Sequence, residues 1–134
     1  MLQPKKSKYR KQFRGKNRGV ASRGNTVAFG DFGLQATTSG WVSSQQLEAA
    51  RKKITFVTQR AGKFWLRIFP DKPVTKKPVG VKMGAGKGDI DKYVAVVKPG
   101  MILYEVGGVT AEMAKEALRK AGHKISVRTA IVEK

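Results

Sequence analysis

Residues 92–106 read KYVAVVKPGMILYEV. Two apolar runs flank Lys98-Pro99-Gly100. β-Branched and aromatic side chains fit a pleated, half-buried surface, and proline followed by glycine suits a tight reversal. The stretch therefore predicts two strands joined as a hairpin. Downstream, Thr110 stands where a helix cap is needed, and Glu112 complements the exposed N–H groups of the first turn. Ala114, Ala117, Leu118 and Ala121 form one apolar stripe, and Gly122 stops the helix. The outer face of this helix mixes signs, with Glu116 and Lys120 at i, i+4. A last strand follows over residues 123–132. It starts at a solvent-facing His123 and places Ile125, Val127, Thr129 and Ile131 on one side.

Upstream of the opening stretch, residues 74–91 read as a long loop. They hold Pro78, four glycines (Gly80, Gly84, Gly86 and Gly88) and Lys76, Lys77, Lys82 and Lys87. A loop of this length inside a small domain is usually functional. Before it, KFWLRIF at residues 63–69 alternates as a strand, with Phe64, Leu66 and Ile68 on one face and Trp65, Arg67 and Phe69 on the other. Aromatic residues on both faces predict cover on both sides. The PDKP of residues 70–73 then turns the chain. Ser43 with Gln46 three residues on predicts a capping box and a helix whose stripe is Leu47, Ala50, Ile54 and Val57, ended by Gly62. Its outer face carries Arg51, Lys52, Lys53 and Arg60, with Glu48 as the lone acid. Residues 26–36 predict a bent strand or strand pair interrupted by Gly30 and Gly33, where glycine marks a bulge or a close backbone approach.

These elements predict an α+β fold: a mixed, mostly antiparallel sheet with two helices in a single domain over residues 25–134. At 134 residues the chain is long enough for one core and too short for two. Residues 1–24 are a basic extended tail. Lys5, Lys6, Lys8, Arg10, Lys11, Arg14, Lys16, Arg18 and Arg23 lie there, and the first acid is Asp31. Tyr9 and Phe13 stand among the cations at i, i+4. Long cations with flat rings suit an RNA groove, the charges on phosphates and the rings on bases or sugars.

The formal net charge is +19. A free small protein at that charge repels itself, so a polyanion is expected as its partner: nucleic acid first, an anionic membrane surface second. No apolar run approaches the roughly 20 residues of a membrane helix. The absence of cysteine excludes disulfides, thiolate metal sites and cysteine nucleophiles. One histidine, and carboxylates without ligand spacing, argue against a metal site. Asp89 and Asp91 either moderate the charge of the loop or begin a strand. No nucleophile is paired with a base, so no catalytic constellation is expected.

VKMGAGKG at residues 81–88 raises the question of a nucleotide loop. A Walker loop needs a glycine five positions before Gly86 and a hydroxyl after Lys87. Those positions hold Val81 and Gly88. The dinucleotide fingerprint fails as well, because its third glycine position is Asp89. What remains is a lysine-bearing loop whose glycines let backbone approach a nucleic acid closely. The plainer reading is a connector whose lysines do nothing specific. Positive charge concentrates in the tail, the first helix and this loop, and one extended polyanion on one side accounts for that asymmetry. The rivals are an NTPase, which requires ATP binding through Lys87, and a free basic DNA-binding or RNA-chaperone protein.

Several segments in order carry a resemblance: MLQPKKSKYRKQFRGKNRG at the start, FGDFGLQA, QLEAARKKI, KFWLRIFPDKPVTKKP, KMGAGKG and YVAVVKPGMILYEVGGV. Over essentially its whole length the chain resembles the bacterial-type ribosomal large-subunit proteins of the L-sixteen family. The resemblance implies a compact α+β domain, sometimes described as an α/β hammerhead, that binds large-subunit ribosomal RNA near the central protuberance. It implies a role in late subunit assembly and in seating aminoacyl-tRNA near the peptidyl transferase region, with no enzymatic activity and no cofactor. Implied partners are that RNA, tRNA and neighbouring ribosomal proteins, without a membrane and without a homo-oligomer. The implied location is the ribosome of the cytoplasm or of an organelle. Lys5, Lys6, Lys8, Arg10, Lys11, Arg14, Lys16 and Arg18 match the family's RNA-binding tail, joined by Arg23 on charge. Arg51, Lys52 and Arg60 fall on its basic helix. Met83, Gly84, Gly86, Lys87 and Gly88 match its tRNA-facing loop, to which Lys82 is adjoined. Lys82 stands where the family commonly has arginine, keeping the charge and losing the planar fork. Ala85 replaces a frequent lysine or serine.

Overall fold

A computed structural model of the chain describes residues 2–6, 11–12, 15, 17–76 and 89–134. Among the described residues, seven strands and two helices follow in the order β1 (Phe32–Ala36), β2 (Gly40–Ser43), α1 (Ser44–Thr58), β3 (Lys63–Leu66), β4 (Lys72–Lys76), β5 (Asp89–Val97), β6 (Ile102–Gly107), α2 (Ala111–Gly122) and β7 (Thr129–Glu133). The α+β class is observed, and the strands divide into two sheets. One has the order β3-β6-β1-β7 and the other β2-β5-β4, with antiparallel pairing in both.

The expected hairpin of residues 92–106 is absent. β5 and β6 lie in different sheets. Each already has two neighbours: β5 lies between β2 and β4, and β6 between β3 and β1. Neither keeps an edge for the other. The Pro99-Gly100 corner is tied instead to the end of β1 and to the segment before it. Gly100 N–H donates to the Ala36 carbonyl at 2.7 Å, and Ala36 N–H donates to that of Met101 at 2.9 Å. Ala21 N–H reaches the Pro99 carbonyl at 3.0 Å, and Ile102 N–H the Gly24 carbonyl at 2.7 Å. Residues 21–24 are therefore stitched to the body, and Ala21 is buried.

Both helix starts follow the local signals. Ser43 Oγ accepts from Gln46 N–H at 3.2 Å, and Gln46 Oε1 accepts from Ser43 N–H at 3.1 Å. Thr110 Oγ1 accepts from Met113 N–H. The stripes Leu47, Ala50, Ile54 and Ala114, Ala117, Leu118, Ala121 are buried, while Val57 packs at the margin of the core. The Tyr104 hydroxyl, buried in β6, donates to the Leu47 carbonyl at 2.5 Å and pins α1 to the sheet.

Element ends depart from expectation where tertiary contacts compete. α1 stops at Thr58, and Gln59 and Arg60 take left-handed φ of 53° and 64°. Gly62 serves another purpose: at φ +68°, a Cβ there would lie 2.4 Å from the Gly107 carbonyl oxygen. Only Phe32–Ala36 of the predicted strand over 26–36 forms ladder, because the N–H groups just before it go to a side chain described below. β3 is an edge strand with cover on both faces: Leu66 and, just beyond the strand, Ile68 pack against the core, and Trp65 on the other face is covered by Phe29, while Phe64 and Phe69 stay partly exposed. The predicted loop over 74–91 narrows, since Thr75 pairs with Ile90 and Lys76 with Asp89. Residues 77–88 lie outside the described set. His123 faces solvent as expected but caps α2, and Ile125 and Val127 are buried in the connection that precedes β7.

Candidate nucleic-acid interface

The capping box sets the rotation of α1, and the buried stripe turns the opposite face to water. Of the cations expected there, Arg51 is held within the chain. Its guanidinium pairs with Glu48, one turn back. That hydrogen bond holds the Glu48 carboxyl below its ordinary value and raises Arg51. Lys52 and Arg60 form no salt bridge among the described residues, although the charge of Lys52 is felt at the Glu48 carboxylate. Lys52 and Phe56 are one turn apart on the same side of α1. Arg60 follows just past the cap, where two consecutive left-handed residues redirect the backbone. Phe56 is 73 % exposed, and the Lys53 ammonium lies 5.3 Å from its ring centre. Beside it, Lys52, Thr55, Phe56, Gln59, Arg60 and Lys120 line a groove of about 650 Å³ between α1 and α2.

Of the tail residues, Lys5, Lys6, Arg18 and Arg23 are exposed and Lys11 is half-buried. Lys8, Arg10, Arg14 and Lys16 lie outside the described residues. Asn17 ties the tail to the body: its Nδ2 donates to the Val97 carbonyl at 2.7 Å. Arg18 and Arg23 thus stand in the segment stitched to the Pro99-Gly100 corner. Near Gly15 the Lys72 ammonium sits 5.0 Å from the Trp41 ring centre. The loop residues Lys82, Met83, Gly84, Gly86, Lys87 and Gly88 all lie outside the described residues.

Residues 4–132 match the family described as ribosomal protein L16p/L10e. The chain belongs to that family. It is a structural protein of the large ribosomal subunit, a ribonucleoprotein component of translation with rRNA as its associated nucleic acid. Among the described residues of this L16p/L10e chain, no helix is long and apolar enough to cross a membrane, and no cluster of three or more His, Cys, Asp or Glu is placed to hold a metal ion.

A second surface escaped the sequence reading. Glu105, in the middle strand β6, is fully buried. Its Oε1 accepts from the N–H groups of Ala28, Phe29 and Gly30 at 3.0, 2.7 and 2.8 Å, and its Oε2 pairs with Arg67. Burial opposes the charge, but these donors outweigh it and hold the carboxyl below its ordinary value. The three N–H groups are those missing from the β1 ladder. They fix Phe29 outside the sheet, where its ring stacks on Trp65 at 6.2 Å between centres, with the Arg67 guanidinium 5.1 Å from it. A Cβ at Gly30 would come within 2.8 Å of the Val106 carbonyl oxygen, so glycine is required there. The available signal was one carboxylate inside the apolar run ILYEV. Such a residue needs donors from elsewhere in the chain, and which donors they are is not local information.

Proposed function

We propose that this L16p/L10e-family chain binds large-subunit ribosomal RNA through its basic N-terminal segment and the outer face of α1, and that this binding supports late assembly of the subunit. The segment Lys82–Gly88 faces aminoacyl-tRNA near the peptidyl transferase region and helps to seat it. The observation that carries the RNA reading is charge left without an internal counterpart. Lys52 and Arg60 form no salt bridge among the described residues, Glu48 being the single acid of α1 and already paired with Arg51, and the first acid in the chain is Asp31. Phosphates supply the missing counterpart, and the counterions they release make such binding strongly salt-dependent.

Sucrose-gradient sedimentation of a gently prepared lysate tests the assembly reading, with the protein followed at low and at molar salt. Co-migration with the large subunit that persists at high salt is the expected result. A peak at the top of the gradient at both salts would give the lead to a free nucleic-acid binder. For the tRNA reading, subunits carrying a chain shortened across residues 82–88 are expected to retain the protein and to bind aminoacyl-tRNA more weakly. Loss of the protein from the subunit would show that the segment anchors instead.

A further inference from the structure

We infer that Phe56 is a stacking platform for an unpaired base of the large-subunit ribosomal RNA, with the adjoining phosphates received by Lys52 and Arg60. This deepens the reading of α1 as an RNA-facing helix and rests on it. Phe56 is the sole aromatic residue of α1. A solvated helix face is ordinarily filled by better helix formers such as lysine or glutamate. A single exposed apolar side chain is unremarkable, but the surroundings of this one are specific. One face of the ring lies under the Lys53 ammonium, 5.3 Å from its centre, which leaves the opposite face for a base. The other side opens on the groove bounded by Lys52, Gln59, Arg60 and Lys120.

The groove carries one carboxylate in its lining, Glu116, which is paired to Lys120 at 3.1 Å. The surface is therefore cationic around a flat apolar face. That combination complements an anionic backbone bearing a planar base, and it repels a basic protein surface. Stacking on a ring is tolerant of base identity, because every base has a π-face. Arg60, eight residues after Lys52 and redirected by the paired left-handed residues, lines the same groove.

Stacking and phosphate contact separate experimentally, since stacking releases no counterions. The full-length chain is titrated with protein-free large-subunit ribosomal RNA over a range of salt, comparing Phe56→Ala, Phe56→Leu, Phe56→Trp and the double variant Lys52→Gln/Arg60→Gln. Phe56→Ala is expected to weaken binding about 5- to 100-fold with the salt slope unchanged. Phe56→Leu should weaken it nearly as much, and Phe56→Trp should retain affinity and show fluorescence quenching on binding. The double variant lowers the salt slope. Circular dichroism is expected to show all four folded, because the ring is exposed.

Wild-type affinity for Phe56→Ala, or for Phe56→Leu, overturns the inference. If Phe56→Ala binds RNA normally but fails to enter subunits, the ring contacts a protein and the inference is again wrong. Failure of the underlying reading looks different: the double variant would then match the wild type in both affinity and slope.

Discussion

Glu105 and the outer face of α1 are two opposite treatments of charge. Glu105 is fully buried, yet every part of its carboxylate is answered from within the chain by three backbone N–H groups and one guanidinium. Lys52 and Arg60 lie in water and form no salt bridge among the described residues. The first arrangement organises the molecule, since the carboxylate bends residues 28–30 away from the ladder and holds the Phe29–Trp65 stack. The second leaves the molecule incomplete until a polyanion arrives. α2 lies between the two: its Lys120 pairs with Glu116, and Lys115 with Glu133 at 3.6 Å. Net charge alone does not distinguish these cases; the partner of each charge does.

The largest expected effect lies with the most one-sided charge. Removing residues 1–16 takes Lys5, Lys6, Lys8, Arg10, Lys11, Arg14 and Lys16 and spares Asn17 with its bond to Val97. Affinity for large-subunit RNA should fall by orders of magnitude, and the slope of log affinity against log salt should fall by about 5 if each cation meets a phosphate. Filter binding across a salt series measures this. A deletion extended to residue 24 also removes Ala21 and the Gly24 carbonyl that accepts from Ile102, so urea denaturation should show an added stability loss of about 1–3 kcal/mol.

Next comes Glu105→Gln, expected to destabilise the fold by about 2–4 kcal/mol while leaving RNA affinity intact in the folded protein. The wild-type carboxyl titrates lower when folded than when unfolded. Its stabilisation is therefore complete above the unfolded value of about 4.3 and is lost as pH falls through the lower folded value. Denaturation of the two proteins at pH 7 and in acid should show the gap between them narrowing as pH drops. A constant gap would mean that the carboxylate charge is not what holds residues 28–30.

The double change Lys52→Gln/Arg60→Gln should do the reverse, lowering RNA affinity about tenfold and the salt slope by about 1.5 with stability unchanged within about 0.5 kcal/mol. The smallest effect is expected for Lys115→Gln on α2. Its partner Glu133 is exposed, so loss of the pair should cost under about 0.5 kcal/mol and leave RNA affinity within about twofold. A Lys115 effect as large as that of the α1 pair would erase the distinction between answered and unanswered charge.

Much of this was legible locally. The reciprocal cap of Ser43 and Gln46, the buried stripes of both helices and the basic segments all follow from spacing and composition. The pairing of Arg51 was readable too: Glu48 stands three residues before it, at a helical distance that permits an ion pair. The Glu105 site was hidden because its donors lie some 75 residues earlier in the chain.

The sequence by itself determined which segments become helices, where those helices begin, and that the molecule carries far more positive charge than its own acids can balance. Those properties depend on neighbours within a few positions. Tertiary structure alone decided that β5 and β6 part company at Pro99-Gly100, that α1 ends before Gly62, and which side chains surround Glu105. A strand's apolar run says that it will be buried between neighbours, but not which neighbours. That choice is made by the competition for edges among all seven strands, and once β5 and β6 each had two partners, the hairpin had none left to form.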